Sequence, residues 1–394
     1  MSEMTATRIR AGTLTAVWVV AAILLWRTEV PSELQVKPTL APFAALDLAR
    51  GERHDAVLRL LALGGLAAEL VALFVLTRAR PPLRGPALVR AAQVGALAAA
   101  ALLVARLPFG FATLWWQRRY GIAELGYGTW LFELLGPLAV RAALLGFACA
   151  VCLWLARRFG PRWWLVAAPV FVAVGVVVIV VQPLLSPRLE PVQRRDVVQQ
   201  VEELAAREGL PRPEVEVRRT RGRTRLLNAE ALGIGPTTRV ILWESTLALP
   251  AAERAFLVAH ELAHVKRSHL WKGLAWFVVL LVPALALLAR LAPLRLPDDV
   301  PRALFVAFVL LLVMTPFANA ISRRYEAEAD WVALETTRDP AGAKRFLADL
   351  AKAGVRDPSP PRWWTSVFGT HPTLAERAGM ADANGRAGRS RGDP

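Results

Sequence analysis

Two histidines one helical turn apart stand out in the second half of the chain. The segment AHELAH at 259–264 contains the pattern HExxH. On an α-helix His260 and His264 share one face, so both imidazoles can reach a single Zn²⁺ ion. Glu261 follows the first histidine and can take a proton from water that the metal polarises. The spacing predicts one zinc ion per chain with a general base beside it.

A catalytic zinc usually takes three protein ligands and keeps one open position, so the motif needs a third ligand. Leu270, six residues after the second histidine, cannot coordinate a metal. His269 lies about 140° around the helix from that histidine and is expected to be solvated or to face lipid headgroups. A better candidate is Glu326, with Asp330 one turn further on to orient a ligand imidazole. Glu328 points to the opposite side and is expected to be solvated.

Short elements around the motif are predicted to position it. The motif falls on a helix, Ala251–Lys266, that begins after Pro250. An amphipathic helix is predicted over 194–208 from its apolar spacing. Clusters of β-branched residues predict short strands over 215–217 and 238–243. A turn is predicted around Gly233, Gly235 and Pro236.

Apolar runs about as long as a bilayer is thick occupy most of the remaining chain. Hydrophobic residues make up 55% of the 394 residues, and the mean hydropathy is +0.38. This composition excludes an ordinary soluble enzyme and predicts a multi-pass integral membrane protein. The first apolar run is interpreted as a retained span, because no small-residue cleavage site follows it. Seven segments are predicted to span or nearly span a bilayer: 13–26, 56–77, 88–107, 131–155, 163–185, 273–291 and 303–320.

The formal net charge of +16 raises the question of a nucleic-acid partner. No zinc-finger, RRM or helix-turn-helix pattern accompanies the basic residues, so the lipid bilayer is the expected partner and nucleic acid is not. Three charges fall inside apolar segments: Glu69, Glu133 and Arg141. Each is expected to face a partner or a wet cavity, with Glu133 and Arg141 on one helical face, or else to snorkel to the headgroups.

Three motifs together resemble a known family, the membrane zinc endopeptidases comprising CAAX prenyl protease 1 and the HtpX-type heat-shock proteases. HELAH at 260–264 is similar to the family's zinc helix, SRRYEAEAD at 322–330 to its second motif, and THP at 370–372 with Arg377 to its later signature. The resemblance implies Glu326 as third zinc ligand and Asp330 as the partner of a ligand imidazole. It also implies that His371 stabilises the oxyanion of a tetrahedral intermediate. Arg377 becomes a candidate substrate-binding residue.

The same resemblance extends to segments before the zinc helix. Asn228 and Ala229, followed by Gly233 and a strand, look like the family's substrate-holding hairpin. Asn228 is then a candidate clamp for a substrate carbonyl, although a turn-stabilising role explains that residue equally well. Glu230 departs from the family's aromatic residue, which puts substrate preference in doubt. RRYG at 118–121 favours the seven-span branch over the four-span one.

The predicted fold class is mainly α, a polytopic membrane helix bundle of about seven spans with a zincin-like HExxH domain that carries a small β-hairpin or sheet. The predicted domains are five N-terminal spans (1–185), the first part of the protease domain (186–272), two further spans (273–320), the second part of the protease domain (321–382) and a disordered tail (383–394). The chain sets no expectation for oligomeric state.

The sequence thus predicts a zinc-dependent membrane endopeptidase that acts on protein or peptide substrates, in membrane-protein quality control of a bacterial cell. Two alternatives stay open: an inactive seven-span scaffold or transporter, and an antibiotic-sensor-type membrane metalloprotease. Two features of the sequence predict opposite membrane orientations. Basic connections at 78–90 and 157–162 would place the zinc domain outside by the positive-inside rule. The resemblance implies a cytoplasmic catalytic side, which is the orientation predicted here.

Overall fold

Long helices and one small sheet make up the protein, seen in a computed structural model that describes residues 16–79, 81–185, 189–233 and 237–391. The helices of this part are α1 (Ala16–Trp26), α2 (Ala45–Arg78), α3 (Ala87–Arg119), α4 (Tyr127–Glu133), α5 (Leu135–Phe159), α6 (Trp163–Leu185), α7 (Arg195–Arg207), α8 (Ala251–Lys266), α9 (His269–Leu291), α10 (Val300–Thr337), α11 (Pro340–Gly354), α12 (Arg362–Phe368) and α13 (Leu374–Arg391). The strands are β1 (Glu190–Pro191), β2 (Glu214–Arg218), β3 (Ala229–Leu232) and β4 (Arg239–Trp243).

Apolar helices form the membrane region. Five stretches of described residues are long and apolar enough to cross a bilayer: Ala45–Arg78, Ala87–Arg119, Tyr127–Val181, His269–Leu291 and Pro297–Thr337. Helix α1 is apolar but shorter. The fourth predicted segment and all but the last four residues of the fifth lie within Tyr127–Val181, which contains α5 and most of α6. The described residues of the seven predicted segments are therefore almost entirely helical. By length and hydropathy, the described residues form five stretches that could cross a bilayer, against the seven predicted spans.

Helices α3 and α5 pack through small residues. A Cβ atom on Gly95 would lie 2.6 Å from the carbonyl oxygen of Leu145 and 2.7 Å from the Cα of Gly146, so only glycine fits there. Ala91 and Ala98 of α3 are fully buried. Small residues at a crossing let two backbones approach closely, which is how helices associate where lipid removes the hydrophobic driving force.

The four strands form one sheet in the order β1-β2-β4-β3. Strand β2 runs parallel to β4, and β3 is antiparallel to β4 with Ala231 opposite Val240. The predicted strands and hairpin are thus present, although Gly235 and Pro236 of the predicted turn lie outside the described residues. In this part of the chain β3 is paired on one side only, so it presents an open edge.

One apolar core joins the sheet to α7, α8, the end of α10, α11 and α13. The prediction of an amphipathic helix before the strands is confirmed, since α7 buries Val197, Val201 and Leu204 against this core. The prediction of disorder from residue 383 is wrong up to Arg391, where α13 ends, and residues 392–394 lie outside the described part of the chain. The packing of α13 explains the difference: Asn384 is buried and donates to a carboxylate oxygen of Glu335 at 2.6 Å.

The charges predicted inside apolar segments find partners in two of three cases. Arg106 donates to Glu69 at 3.0 Å, linking α2 to α3. Glu133 accepts two hydrogen bonds from Arg223, each 2.9 Å long. The partner of Glu133 is thus Arg223 from the loop before β3, while Arg141 is exposed, and a wet space lined by both Glu133 and Arg141 stays a prediction. The ion pair of Glu133 with Arg223 ties the membrane helices to the domain that contains the HExxH helix.

Candidate metal centre

Two helices supply the three predicted zinc ligands. Helix α8 begins and ends where the sequence predicts, and it carries His260 and His264 on one face. Helix α10 continues well beyond its apolar part, and its polar extension carries Glu326 past that face. One ligand atom from each of the three residues can be chosen so that all lie within 4.8 Å of one another.

The arrangement of these atoms suits a cation. The Nε2 atoms of His260 and His264 lie 3.2 Å apart, and they lie 3.2 and 3.6 Å from the two carboxylate oxygens of Glu326. The Oε2 atom of Glu326 is buried, yet no described group meets it with hydrogen-bond geometry. Two imidazole nitrogens and a carboxylate oxygen are a donor set that zinc enzymes use. The residues present therefore fit a zinc ion.

His260 is oriented from behind by Asp330. The Nδ1 atom of His260 lies 2.9 Å from Asp330 Oδ1, and a carboxylate can only accept, so the proton sits on Nδ1 and the Nε2 lone pair faces the site. Arg377 donates to both oxygens of Asp330 at 2.8 and 2.7 Å. Arg377 and Asp330 are both buried. In the structure Arg377 therefore contacts the carboxylate that orients His260, and a contact of Arg377 with substrate stays a prediction.

Two residues expected to be solvated lie behind the second histidine. His269 is buried, and its Nδ1 atom lies 2.8 Å from Nδ1 of His264. Glu328 is fully buried, and its Oε2 atom lies 2.9 Å from Nε2 of His269. The expectation for His269 assumed that α8 continues unbroken, whereas Glu328 lies on the continuous helix α10 and is buried because Arg267, His269 and Lys272 cover it. Ser268 adopts a left-handed conformation with φ 54°, which turns the chain between α8 and α9 and brings His269 back against the motif.

Glu261 faces the same site from the other side of the first histidine. Its side chain is half-buried, and its carboxylate accepts a hydrogen bond from the backbone of Ala231 in β3. Burial, reinforced by the negative charge of Glu326, raises the pKa of Glu261 to about 7. A carboxylate with a pKa near neutrality is suited to taking and returning a proton.

The two histidines differ in their affinity for protons. Burial would lower the pKa of His260, but its hydrogen bond to Asp330 and the charge of Glu326 raise that pKa to about 10. Burial and the charge of His260 lower the pKa of His264 to about 3. His264 is therefore neutral at pH 7, which is the form in which an imidazole can bind a metal. A proton on His260 and a cation in the site compete for the same nitrogen.

His371 and Asn228 lie on loops beside the helices. The Nε2 atom of His371 is 3.0 Å from Glu326 Oε2, and its side chain is 54% exposed, so it can reach a bound molecule. The backbone of Asn228 is held by Thr246. The N–H of Asn228 donates to the Thr246 hydroxyl at 3.2 Å, and that hydroxyl donates to the carbonyl of Asn228 at 2.8 Å. A substrate contact of the Asn228 side chain stays a prediction. Glu230 accepts a hydrogen bond from Trp243 at 3.3 Å.

A cavity of about 600 Å³ lies between the membrane helices and the sheet. Leu61, Phe109 and Trp130 line it from the membrane side, and Arg223 and Trp243 line it from the sheet side. Trp243 also contacts Glu230 of β3, so the cavity and the open strand edge are neighbours. Space for a substrate thus exists on the membrane side of the sheet.

Comparison with known proteins agrees with this geometry. Residues 191–384 match the model of Peptidase family M48, and residues 66–188 match the CAAX prenyl protease N-terminal model, described as five membrane helices. The chain is 27% identical to the uncharacterized metalloprotease YhfN of Bacillus subtilis (strain 168) over 282 residues, which cover 67% of this chain and 66% of that protein. It is 28% identical to a protease HtpX homolog of Salinibacter ruber over 185 residues, 41% of this chain and 65% of that protein. The chain thus spans about two thirds of the length of each relative.

A solved structure shares the fold over nearly the whole chain. The crystal structure of S. mikatae Ste24p superposes with a TM-score of 0.73 at 17% identity, covering 93% of this chain and 97% of that one. Fold and site together define a membrane protein of the HExxH metalloprotease class. More narrowly, the two family models together cover nearly all of residues 66–384, so the chain fits the prenyl-protease-like family of membrane metalloproteases, with an M48 peptidase region after a CAAX prenyl protease type of membrane region.

Proposed function

We propose that this protein is a zinc-dependent endopeptidase that hydrolyses peptide bonds of proteins at or in the membrane. The observation that carries the proposal is the convergence of His260, His264 and Glu326 within 4.8 Å, beside the carboxylate of Glu261. A scaffold or transporter has no need for that convergence. The catalytic residues then belong to the proposed segments 186–272 and 321–382, which meet across the last two apolar helices.

Each side chain has a defined task in the proposed hydrolysis. His260, His264 and Glu326 would hold the zinc ion, which would supply polarisation of the scissile carbonyl and a lower pKa for the attacking water. Glu261 takes a proton from that water and returns one to the leaving amine. His371 donates a hydrogen bond to the developing oxyanion, a contribution that is worth about 10²–10³ in rate at comparable sites.

The open edge of β3 is the proposed docking place for the substrate backbone. An extended peptide can add to an unpaired strand through main-chain hydrogen bonds, with little demand on sequence. Ala231 of β3 contacts Glu261, so a peptide along this edge would lie next to the general base. Asn228 at the start of the strand is proposed to bind a substrate carbonyl.

The proposed substrates are membrane-associated or C-terminally processed proteins, and the proposed role is membrane-protein quality control in a bacterial cell membrane with the catalytic side in the cytoplasm. The neighbouring cavity and the long apolar helices support a substrate that arrives from the bilayer. The orientation is tested by fusing to the C-terminus a reporter enzyme that works only outside the cytoplasm. The proposed orientation predicts an inactive fusion, and an active fusion would contradict it.

The test of the activity compares two glutamates on α8. Purified Glu261→Gln protein should keep about one zinc per chain and lose cleavage of a quenched peptide library by about 10²–10⁴-fold. Glu253→Gln, the same substitution two turns earlier on α8, is the matched control and should cleave like wild type. Wild-type cleavage by Glu261→Gln would contradict the mechanism, and wild-type protein without zinc would favour a scaffold.

A further inference from the structure

A chain of hydrogen-bonding groups runs from His264 away from the metal centre. His264 Nδ1 lies 2.8 Å from His269 Nδ1, and His269 Nε2 lies 2.9 Å from Glu328 Oε2. The two imidazole rings are nearly perpendicular, at 73°. His269 also stacks on the ring of Tyr325, with centroids 4.8 Å apart and planes 14° apart. The ring of His269 is therefore fixed in both position and orientation.

Glu328 is held as a carboxylate although it is fully buried. Arg267 and the backbone N–H of Glu29 donate to Oε1 at 2.9 and 3.0 Å, and Lys272 donates to Oε2 at 3.3 Å. Two cations and a backbone donor compensate the cost of burying one negative charge. An ionised carboxylate can only accept hydrogen bonds, so the proton between His269 and Glu328 sits on the imidazole.

One placement of protons satisfies every hydrogen bond from Glu328 through His269 to His264. With its proton on Nε2, neutral His269 presents the Nδ1 lone pair to His264 and accepts the Nδ1–H of that residue. His264 then has its free lone pair on Nε2, the nitrogen that faces His260 and Glu326.

We propose that His269 and Glu328 are positioning residues that fix the tautomer and the ring orientation of His264 for metal binding. The proposal rests on the proposed function, since it assigns His264 as a zinc ligand. In this proposal α10 supports both ligand histidines. Asp330 contacts His260 directly, and Glu328 is linked to His264 through His269. Partners of this kind change metal affinity by about 10–100-fold.

The experiment compares three variants in metal-free and zinc-loaded protein. His269→Phe keeps an aromatic ring on Tyr325 and removes both hydrogen bonds. His269→Asn places an amide oxygen near the position of Nδ1, so that His264 regains an acceptor. Tyr325→Phe is the matched control, because it removes the hydroxyl bonded to Trp276 and Leu25 but keeps the ring that stacks on His269. Zinc affinity is measured by competition with a chelator, and unfolding temperature is measured without metal.

We expect His269→Phe to bind zinc about 10–100-fold more weakly, His269→Asn to recover most of that loss, and Tyr325→Phe to bind as wild type does. The unfolding temperature of metal-free His269→Phe should stay close to that of Tyr325→Phe. Wild-type zinc affinity in His269→Phe would overturn the proposal. An equal loss in His269→Phe and His269→Asn would also overturn it, because packing alone would then explain the effect. If wild-type protein binds no zinc, the proposed function itself fails, which is a distinct result.

Discussion

His260 and His264 project from the same face of α8, yet they are supported from behind in different ways. His260 contacts Asp330 directly at 2.9 Å, and Arg377 neutralises that carboxylate. Among the described residues no carboxylate contacts the Nδ1 atom of His264, and this atom is linked to Glu328 through the imidazole of His269. One support is a short ion-paired contact, and the other is a longer chain of neutral and charged groups.

Position along α8 explains the difference. His260 lies a full turn before the helix end, where the polar part of α10 passes close enough for a direct contact. His264 lies in the last turn, and there the chain reverses at Ser268 to begin α9. The space behind His264 is filled by the first residue of α9 and not by α10. A carboxylate on α10 therefore needs an intermediate group to reach His264.

Asp330→Asn should be the most damaging change at either support. It leaves the buried guanidinium of Arg377 without its counter-charge, and breaking such a pair costs about 3–5 kcal/mol. It should also weaken zinc binding by about 10–100-fold. Denaturant unfolding of the metal-free protein and zinc competition measure the two effects. Asp330→Asn should lower both stability and zinc affinity, whereas His269→Phe should lower zinc affinity alone. An Asp330→Asn protein as stable as wild type would contradict this difference between the two supports.

Glu208 shows what happens to a buried carboxylate near α8 that supports no histidine. Thr336 donates to its Oε1 atom at 3.3 Å, and Oε2 has no hydrogen-bond partner among the described residues. Burial raises the pKa of Glu208 to about 7. Unlike the two supporting carboxylates, Glu208 is therefore expected to be protonated in the folded protein below neutral pH.

This difference predicts a pH dependence of stability. Between the ordinary glutamate pKa and about 7, folded Glu208 keeps a proton that the unfolded chain releases, so stability falls as pH rises through this window and levels off above it. The loss is on the order of 3 kcal/mol. Glu208→Gln should lack this slope. Unfolding curves of both proteins from pH 4.5 to 8 measure the effect, and parallel pH profiles would contradict it.

Arg377→Lys should give the smallest effect. Lysine keeps the positive charge beside Asp330 but cannot make the two parallel hydrogen bonds of the guanidinium. We expect a loss of about 1–2 kcal/mol in unfolding free energy, with zinc affinity closer to wild type than in Asp330→Asn. A loss as large as that of Asp330→Asn would show that geometry, and not charge, dominates this support.

Local patterns made half of the site predictable from the sequence. The bounds of α8 follow from Pro250 and the motif, and the one-turn spacing of Glu326 and Asp330 predicted which face of α10 meets the first histidine. The roles of His269 and Glu328 were missed, because helical spacing alone places both away from the metal. The position of His269 depends on the reversal at Ser268, and the burial of Glu328 depends on the residues that cover it, which are tertiary features. The pairing of Glu133 with Arg223 was missed for the same reason, since 90 positions separate the two residues.

X-ray absorption at the zinc edge, on wild-type and Glu326→Ala protein, tests the central claim most directly. The structure predicts one zinc per chain bound by two imidazole nitrogens and a carboxylate oxygen, with most of the zinc lost in Glu326→Ala. A zinc ion whose ligand set and occupancy are unchanged by Glu326→Ala would contradict the account.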